Sequence, residues 1–171
     1  MAASVFGLAG WSGAGKTHLA EALIAYFAQS GYRVATIKHA HHKFDADLPG
    51  KDSWRHRKAG AAQVLVSSQQ RAALFTEYTD NEEPNLTALL AQLAPADLVL
   101  VEGFKSEPIP KLEVWRAVNE KPQLYREDPH IIAVASDAPF AECPLPQFNL
   151  SEIQAIAEFI TEHLGIARLA G

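Results

Sequence analysis

The sequence predicts a three-layer α/β/α sandwich on a mostly parallel sheet, and three observations lead there. Short apolar runs alternate with segments of helical period along most of the chain. The run LVLV, Leu98 to Val101, is apolar without interruption, as expected of a strand buried on both faces of a parallel sheet. The glycine-rich segment GWSGAGKT, Gly10 to Thr17, falls between a predicted strand and a predicted helix.

Val5 to Ala9 reads as the first strand, followed by glycines and a helix carrying Leu19, Leu23, Ile24 and Phe27 on one face. Gly31 suits a left-handed cap at the end of that helix, and Arg33 to His39 reads as the second strand, completing a βαβ unit. HAHHKFDADLPGKD has no sustained period and is expected to be a long loop of the functional kind, with a short helix after it, Ser53 to Ala59. VLVSS and ALFTE, joined by the polar stretch Ser68 to Arg71, predict a hairpin, taken to add an antiparallel section at an edge of the sheet. Pro84 suits the first turn of a helix with Leu86, Leu89, Leu90 and Leu93, ending before Pro95 and leading into LVLV. Strands are then expected at KLEVW from Lys111 and IIAVA from Ile131. A last helix opens at Ser151, with Gln154 three residues on as a capping box and Ile153, Ile156, Ile160 and Leu164 as its buried stripe. Without a repeat or a linker, residues 1–171 read as a single P-loop NTPase domain.

The composition, 48% hydrophobic and 20% charged, is that of a chain that folds rather than one that stays disordered. A net charge of -5 gives no basic footprint for nucleic acid. The longest apolar runs are far shorter than the roughly 20 residues that span a bilayer. The N-terminus has no secretory pattern, which predicts a cytoplasmic protein. The single Cys143 lies in a proline-punctuated loop and is read as inert.

GWSGAGKT fits the P-loop pattern GxxxxGK[ST], which binds a nucleoside triphosphate with magnesium. Its glycines let backbone N–H groups turn inward around phosphates, the helix N-terminus adds its positive end, Lys16 reaches the outer phosphates and Thr17 offers a hydroxyl to the metal. The candidate nucleotide-binding set is Gly10, Ser12, Gly13, Ala14, Gly15, Lys16, Thr17 and His18. The bland alternative is a glycine-rich turn that merely joins strand to helix.

A P-loop needs a carboxylate across the site for the metal shell. Glu102, directly after LVLV, is delivered to the carboxyl end of its strand, where open α/β sheets bind ligands. Asp52 is the other candidate, with Asp45 and Asp47 behind it; Asp52 could equally cap the helix that follows. The cluster His39, His41 and His42 is compatible with contact to a phosphate, an acidic ligand, a partner or a transition metal, and its spacing does not choose among them.

Taken together, GWSGAGKT, IKHAHHKFDAD, PGKDSWRHRKAGA, SSQQR, DLVLVEGFK and IIAVASD, in that order, resemble the molybdopterin-guanine dinucleotide biosynthesis adapter family, MobB. The resemblance runs from the P-loop to about Pro139. It implies a GTP-binding protein with weak hydrolysis, a homodimer joined partly through β-strands, and an accessory role beside the molybdopterin guanylyltransferase, with a pterin as a further ligand. The usual guanine signature Asn-Lys-x-Asp is absent; Asp137, at the end of IIAVA, is the substitute candidate for the base, the alternative being a turn-forming Asp before Pro139. Trp11 stands near where the dimeric P-loop ATPases carry an extra lysine. Two other readings share these features: a small-molecule kinase, against which no arginine-rich lid is visible, and a metal-insertion GTPase, against which no cysteine accompanies the histidines.

Overall fold

The computed structural model describes residues 4–40, 44–78 and 84–167. Its strands are β1 (Ser4–Ala9), β2 (Val34–Lys38), β3 (Gln63–Ser67), β4 (Ala72–Thr76), β5 (Leu98–Glu102), β6 (Lys111–Trp115), β7 (Ile131–Ser136) and β8 (Gln147–Asn149). Its helices are α1 (Lys16–Gln29), α2 (Asp52–Lys58), α3 (Leu86–Leu90) and α4 (Ile153–Leu164). The described residues up to His39 and from Leu86 onward form one compact unit, and those between Ala40 and Asn85 form another.

In the first unit the sheet order is β2-β5-β1-β6-β7-β8, with every neighbouring pair parallel. Period-two alternation along β5 supplies both faces. Leu98 and Leu100 join a core with Phe6, Leu8, Leu112 and Val114, closed by Leu19, Leu23 and Phe27 of α1 and Ile156 and Ile160 of α4. Val99 and Val101 face the other way, onto Ile37 and Leu86. Each such side chain contributes about 1.5–3 kcal/mol by leaving water.

Helix α1 ends as its sequence predicts. Gly31, at φ 84°, follows the C-cap Ser30; its N–H donates to Ala28 O, and that of Tyr32 donates to Phe27 O. The Tyr32 and Phe27 rings meet edge-on at 5.7 Å, adding the apolar contact that accompanies this capping pattern.

Helix α4 opens differently from expectation. It starts at Ile153 with Glu152 at the N-cap and no side-chain capping bond. Ser151 donates both its N–H and its hydroxyl to Asn149 Oδ1, and Gln154 Nε2 donates to Glu158. The Asn149 side chain thus captures Ser151 in a local turn, which competes with the Ser151 to Gln154 box.

The second unit contains α2 and the hairpin. β3 and β4 pair antiparallel with each other, Leu65 opposite Leu74, as a separate two-stranded sheet rather than an edge of the large one. Two strands joined by four residues find each other locally, without a place in the large sheet. Arg57 organises the rest: Nη1 donates to Asp45 at 2.8 Å and Asp47 at 3.2 Å, Nε donates to Glu77 at 2.5 Å, and the guanidinium lies 5.2 Å from the centre of the Phe75 ring. Among the described residues no helix is long and apolar enough to cross a membrane.

Candidate functional site

The turn between β1 and α1 places Gly15 at the N-cap of α1 with φ 96°, a backbone that a side chain would strain. A Cβ there would also lie 3.1 Å from Arg116 Nε, a contact the guanidinium could relieve only by shifting a few tenths of an ångström. Lys16 and Thr17 are the first two residues of the helix, where free N–H groups and the positive dipole end gather. Lys16 Nζ donates to the carbonyls of Gly10 and Trp11, both at 3.0 Å. Burial pushes the Lys16 ammonium below the usual lysine value; Glu102 opposes this, and Lys105 and Lys38 add to it. Ser12 and His18 are exposed at the mouth of the turn, and Ala14 is buried beneath it.

The parallel register carries an acid and a base to the same place. Glu102 pairs with Leu8 on one side and with Lys38 on the other, so the carboxyl ends of β5 and β2 finish level beside the P-loop. Thr17 Oγ1 donates to Glu102 Oε1 at 3.2 Å, and Lys38 Nζ donates to Thr17 Oγ1 at 3.3 Å. Lys38 Nζ is also 3.4 Å from Glu102 Oε2. Three lysines, 16, 38 and 105, therefore act on the surroundings of one carboxylate, an excess of positive charge suited to a polyanion.

The loop after β6 holds the P-loop from outside. Arg116 Nε donates to Ala14 O at 3.2 Å, Trp11 Nε1 donates to Pro122 O at 2.8 Å, and Lys105 Nζ lies 4.7 Å from the centre of the Trp11 ring. Asp137 Oδ1 accepts the Ala117 N–H at 2.9 Å, so one oxygen of the expected base reader fastens this same loop. Asn119 Nδ2 is buried without a hydrogen-bond partner among the described residues.

Asp52 lies in the other unit as the first residue of α2, with Arg55 Nη1 at 3.9 Å. The N-cap position is Lys51, so the capping role expected of Asp52 is not formed. Asp45 and Asp47 are the partners of Arg57, which holds the Asp45 carboxyl below its usual range. His39 packs against Phe104 with ring centroids 5.1 Å apart; His41 and His42 lie outside the described residues.

Two buried charges carried no motif. Glu113, 0% exposed on β6, accepts the N–H groups of Leu124 and Tyr125 at 2.7 and 2.9 Å, and burial raises its pKa against the pull of those bonds. Lys111 donates to Asp128 at 2.8 Å. The only sequence signal for either was a charge alternating with Leu112 and Val114 in a strand otherwise destined for the core. Beside them opens a cleft of about 360 Å³ lined by residues including Ala9, Lys105, Ser106, Leu124, Asp128 and His130.

A helix that begins on Lys-Thr after a glycine turn, faced by an acid from the adjacent parallel strand, defines the P-loop nucleotide-binding fold. Within that class the chain belongs to the MobB family, whose model, molybdopterin guanine dinucleotide synthesis protein B, matches residues 5–137. The molybdopterin-guanine dinucleotide biosynthesis adapter protein of Escherichia coli K12 is 45% identical over 157 residues, 90% of this chain and 89% of its own. The protein of that name from Haemophilus influenzae is 40% identical over 160 residues, 94% and 89% of the two chains. A crystal structure of molybdopterin-guanine biosynthesis protein B superposes with a TM-score of 0.75 at 26% identity, covering 94% of this chain and 99% of that one. The MobB homologue from Bacillus stearothermophilus gives 0.71 at 25%, covering 95% and 99%.

Proposed function

We propose that the chain is a GTP-binding adapter protein of molybdopterin-guanine dinucleotide biosynthesis, with weak GTPase activity, acting in the cytoplasm beside the guanylyltransferase. The role is carried over from the relatives named for it. The observation that carries the chemistry is the convergence of Lys16, Thr17, Lys38 and Glu102 at the start of α1. Lys16 and the α1 N–H groups would hold the phosphates, and Thr17 and Glu102 would hold magnesium. The fit for a cation is supported by the Lys38 ammonium, which this pair already draws between its oxygens. When bound, the metal neutralises charge on the outer phosphates.

Asp137 Oδ2 makes no hydrogen bond among the described residues and is the oxygen left to read guanine. The cleft beside Lys105 offers room for a pterin. The hairpin, with Leu65, Val66 and Leu74 exposed, supports a homodimer joined through strands. The deciding experiment is equilibrium binding of GTP and ATP with magnesium, followed by turnover with and without the guanylyltransferase. A folded chain that takes up neither nucleotide would sink this reading, and phosphorylation of an added acceptor would replace it with a kinase.

A further inference from the structure

Lys38 has no place in the P-loop pattern, yet its ammonium lies 3.3 Å from Thr17 Oγ1 and 3.4 Å from Glu102 Oε2. It is the last residue of β2, level with Glu102 in the register, so its stem starts from a fixed point. Beyond that point the side chain is 59% exposed, whereas that of Glu102 is 16% exposed. Three features follow: the carboxylate is held, the ammonium is on a free four-carbon arm, and the atoms it touches are those that would ligate a divalent ion. Lys16 and Lys105, the other two lysines acting on this site, are cations and offer Lys38 no competing partner.

We infer that Lys38 is a resident cation of the magnesium site, one that a divalent metal has to displace and that then turns to the outer phosphates. This rests on the nucleotide reading above. A metal with oxygen ligands at about 2.0–2.1 Å would lie among the same atoms, and an ammonium a few ångströms away repels it unless the lysine arm swings aside. Lys38 neutralises Glu102 when no metal does, which spares the phosphates the repulsion of a bare carboxylate. Once displaced, its arm carries the ammonium toward the nearest negative charge, that of the outer phosphates. The sequence therefore supplies in one lysine both a competitor of the metal and a second phosphate contact.

The test is Lys38→Gln, with Lys38→Arg as the charge-retaining control, in the full-length chain. Mn²⁺ binding is read by electron paramagnetic resonance with and without GDP, and GTP affinity is read with and without Mg²⁺. Mn²⁺ should bind Lys38→Gln about tenfold more tightly than wild type, the direction expected when a like charge a few ångströms away is removed. GTP affinity without metal should fall by a similar factor, and Lys38→Arg should stay near wild type in both. Mn²⁺ affinity that is equal or weaker in Lys38→Gln, or undetectable in both proteins, overturns the inference. Failure of the wild type to bind GTP under any condition sinks the nucleotide reading and the phosphate contact, while the Mn²⁺ titration still decides whether lysine and metal compete.

Discussion

Arg116 and Ala14, 102 positions apart in the chain, are joined by a hydrogen bond of 3.2 Å from the guanidinium Nε to the P-loop carbonyl. The phosphate turn is thus gripped by the loop that follows β6, and the same guanidinium crowds Gly15. Arg116→Ala should leave the fold intact at a cost of about 0.5–1.5 kcal/mol, the worth of one such bond. Triphosphate affinity should fall severalfold because the turn loses its outer support. Titration calorimetry alongside thermal melts checks this; unchanged affinity would make the contact incidental.

Lys16→Ala is expected to abolish triphosphate binding while the melting temperature stays within a few degrees. Among the described residues its Nζ bonds only the Gly10 and Trp11 carbonyls, and no core volume changes when it is removed. GTP affinity close to wild type in a folded variant would contradict the P-loop assignment.

Asp137→Asn retains an acceptor for the Ala117 N–H, so the loop should hold. The ratio of GTP to ATP affinity should drop, because the amide presents a donor where guanine also donates. A constant ratio would leave Asp137 as a loop fastener and nothing more.

Glu113 gives a pH dependence whose sign can be worked out. Its folded pKa is raised by burial above the reference 4.5, so the native state holds the proton more tightly than the unfolded chain. Stability contributed by protonated Glu113 is fully present below about 4.5 and is lost as pH rises through the higher folded value. Denaturant titrations from pH 4 to 7 should show this fall, and Glu113→Gln should flatten it. At acid pH Glu113→Ala should cost about 2–4 kcal/mol by stranding the Leu124 and Tyr125 N–H groups, and the cost should shrink as pH rises.

Leu65 and Leu74, paired across the hairpin and 67% and 50% exposed, are the apolar residues that dimer formation would cover. Leu65→Glu with Leu74→Glu should convert a dimer to a monomer by light scattering, with far-UV circular dichroism unchanged. A wild type that is already monomeric at micromolar concentration would remove the homodimer from the functional reading.

The large sheet was legible because β1, β5 and β7 are short, mainly apolar runs, and β5 in particular has no polar position before Glu102. Helix α1 was legible from both ends, where glycines mark the start and Gly31 the stop. β8 was not, since three residues between prolines and a helix show too little period to read. The hairpin was seen but misplaced, since pattern reveals strands and turns while partners are chosen by three-dimensional proximity. In the site, Lys16, Thr17 and Glu102 were legible because a motif or a strand end marks each. Lys38, Arg116 and Glu113 were not, because their importance comes from register and loop packing that no local spacing encodes.

β5 runs between β2 and β1, bonded on both edges and buried on both faces up to Val101. A strand so enclosed opens only when the unit itself unfolds, so its backbone amides belong to the slowest-exchanging class. Glu102 inherits that stiffness through one residue of chain. The carboxylate therefore sets a fixed coordinate for the whole site, and any adjustment to a change of ligand has to come from the side chains that reach toward it.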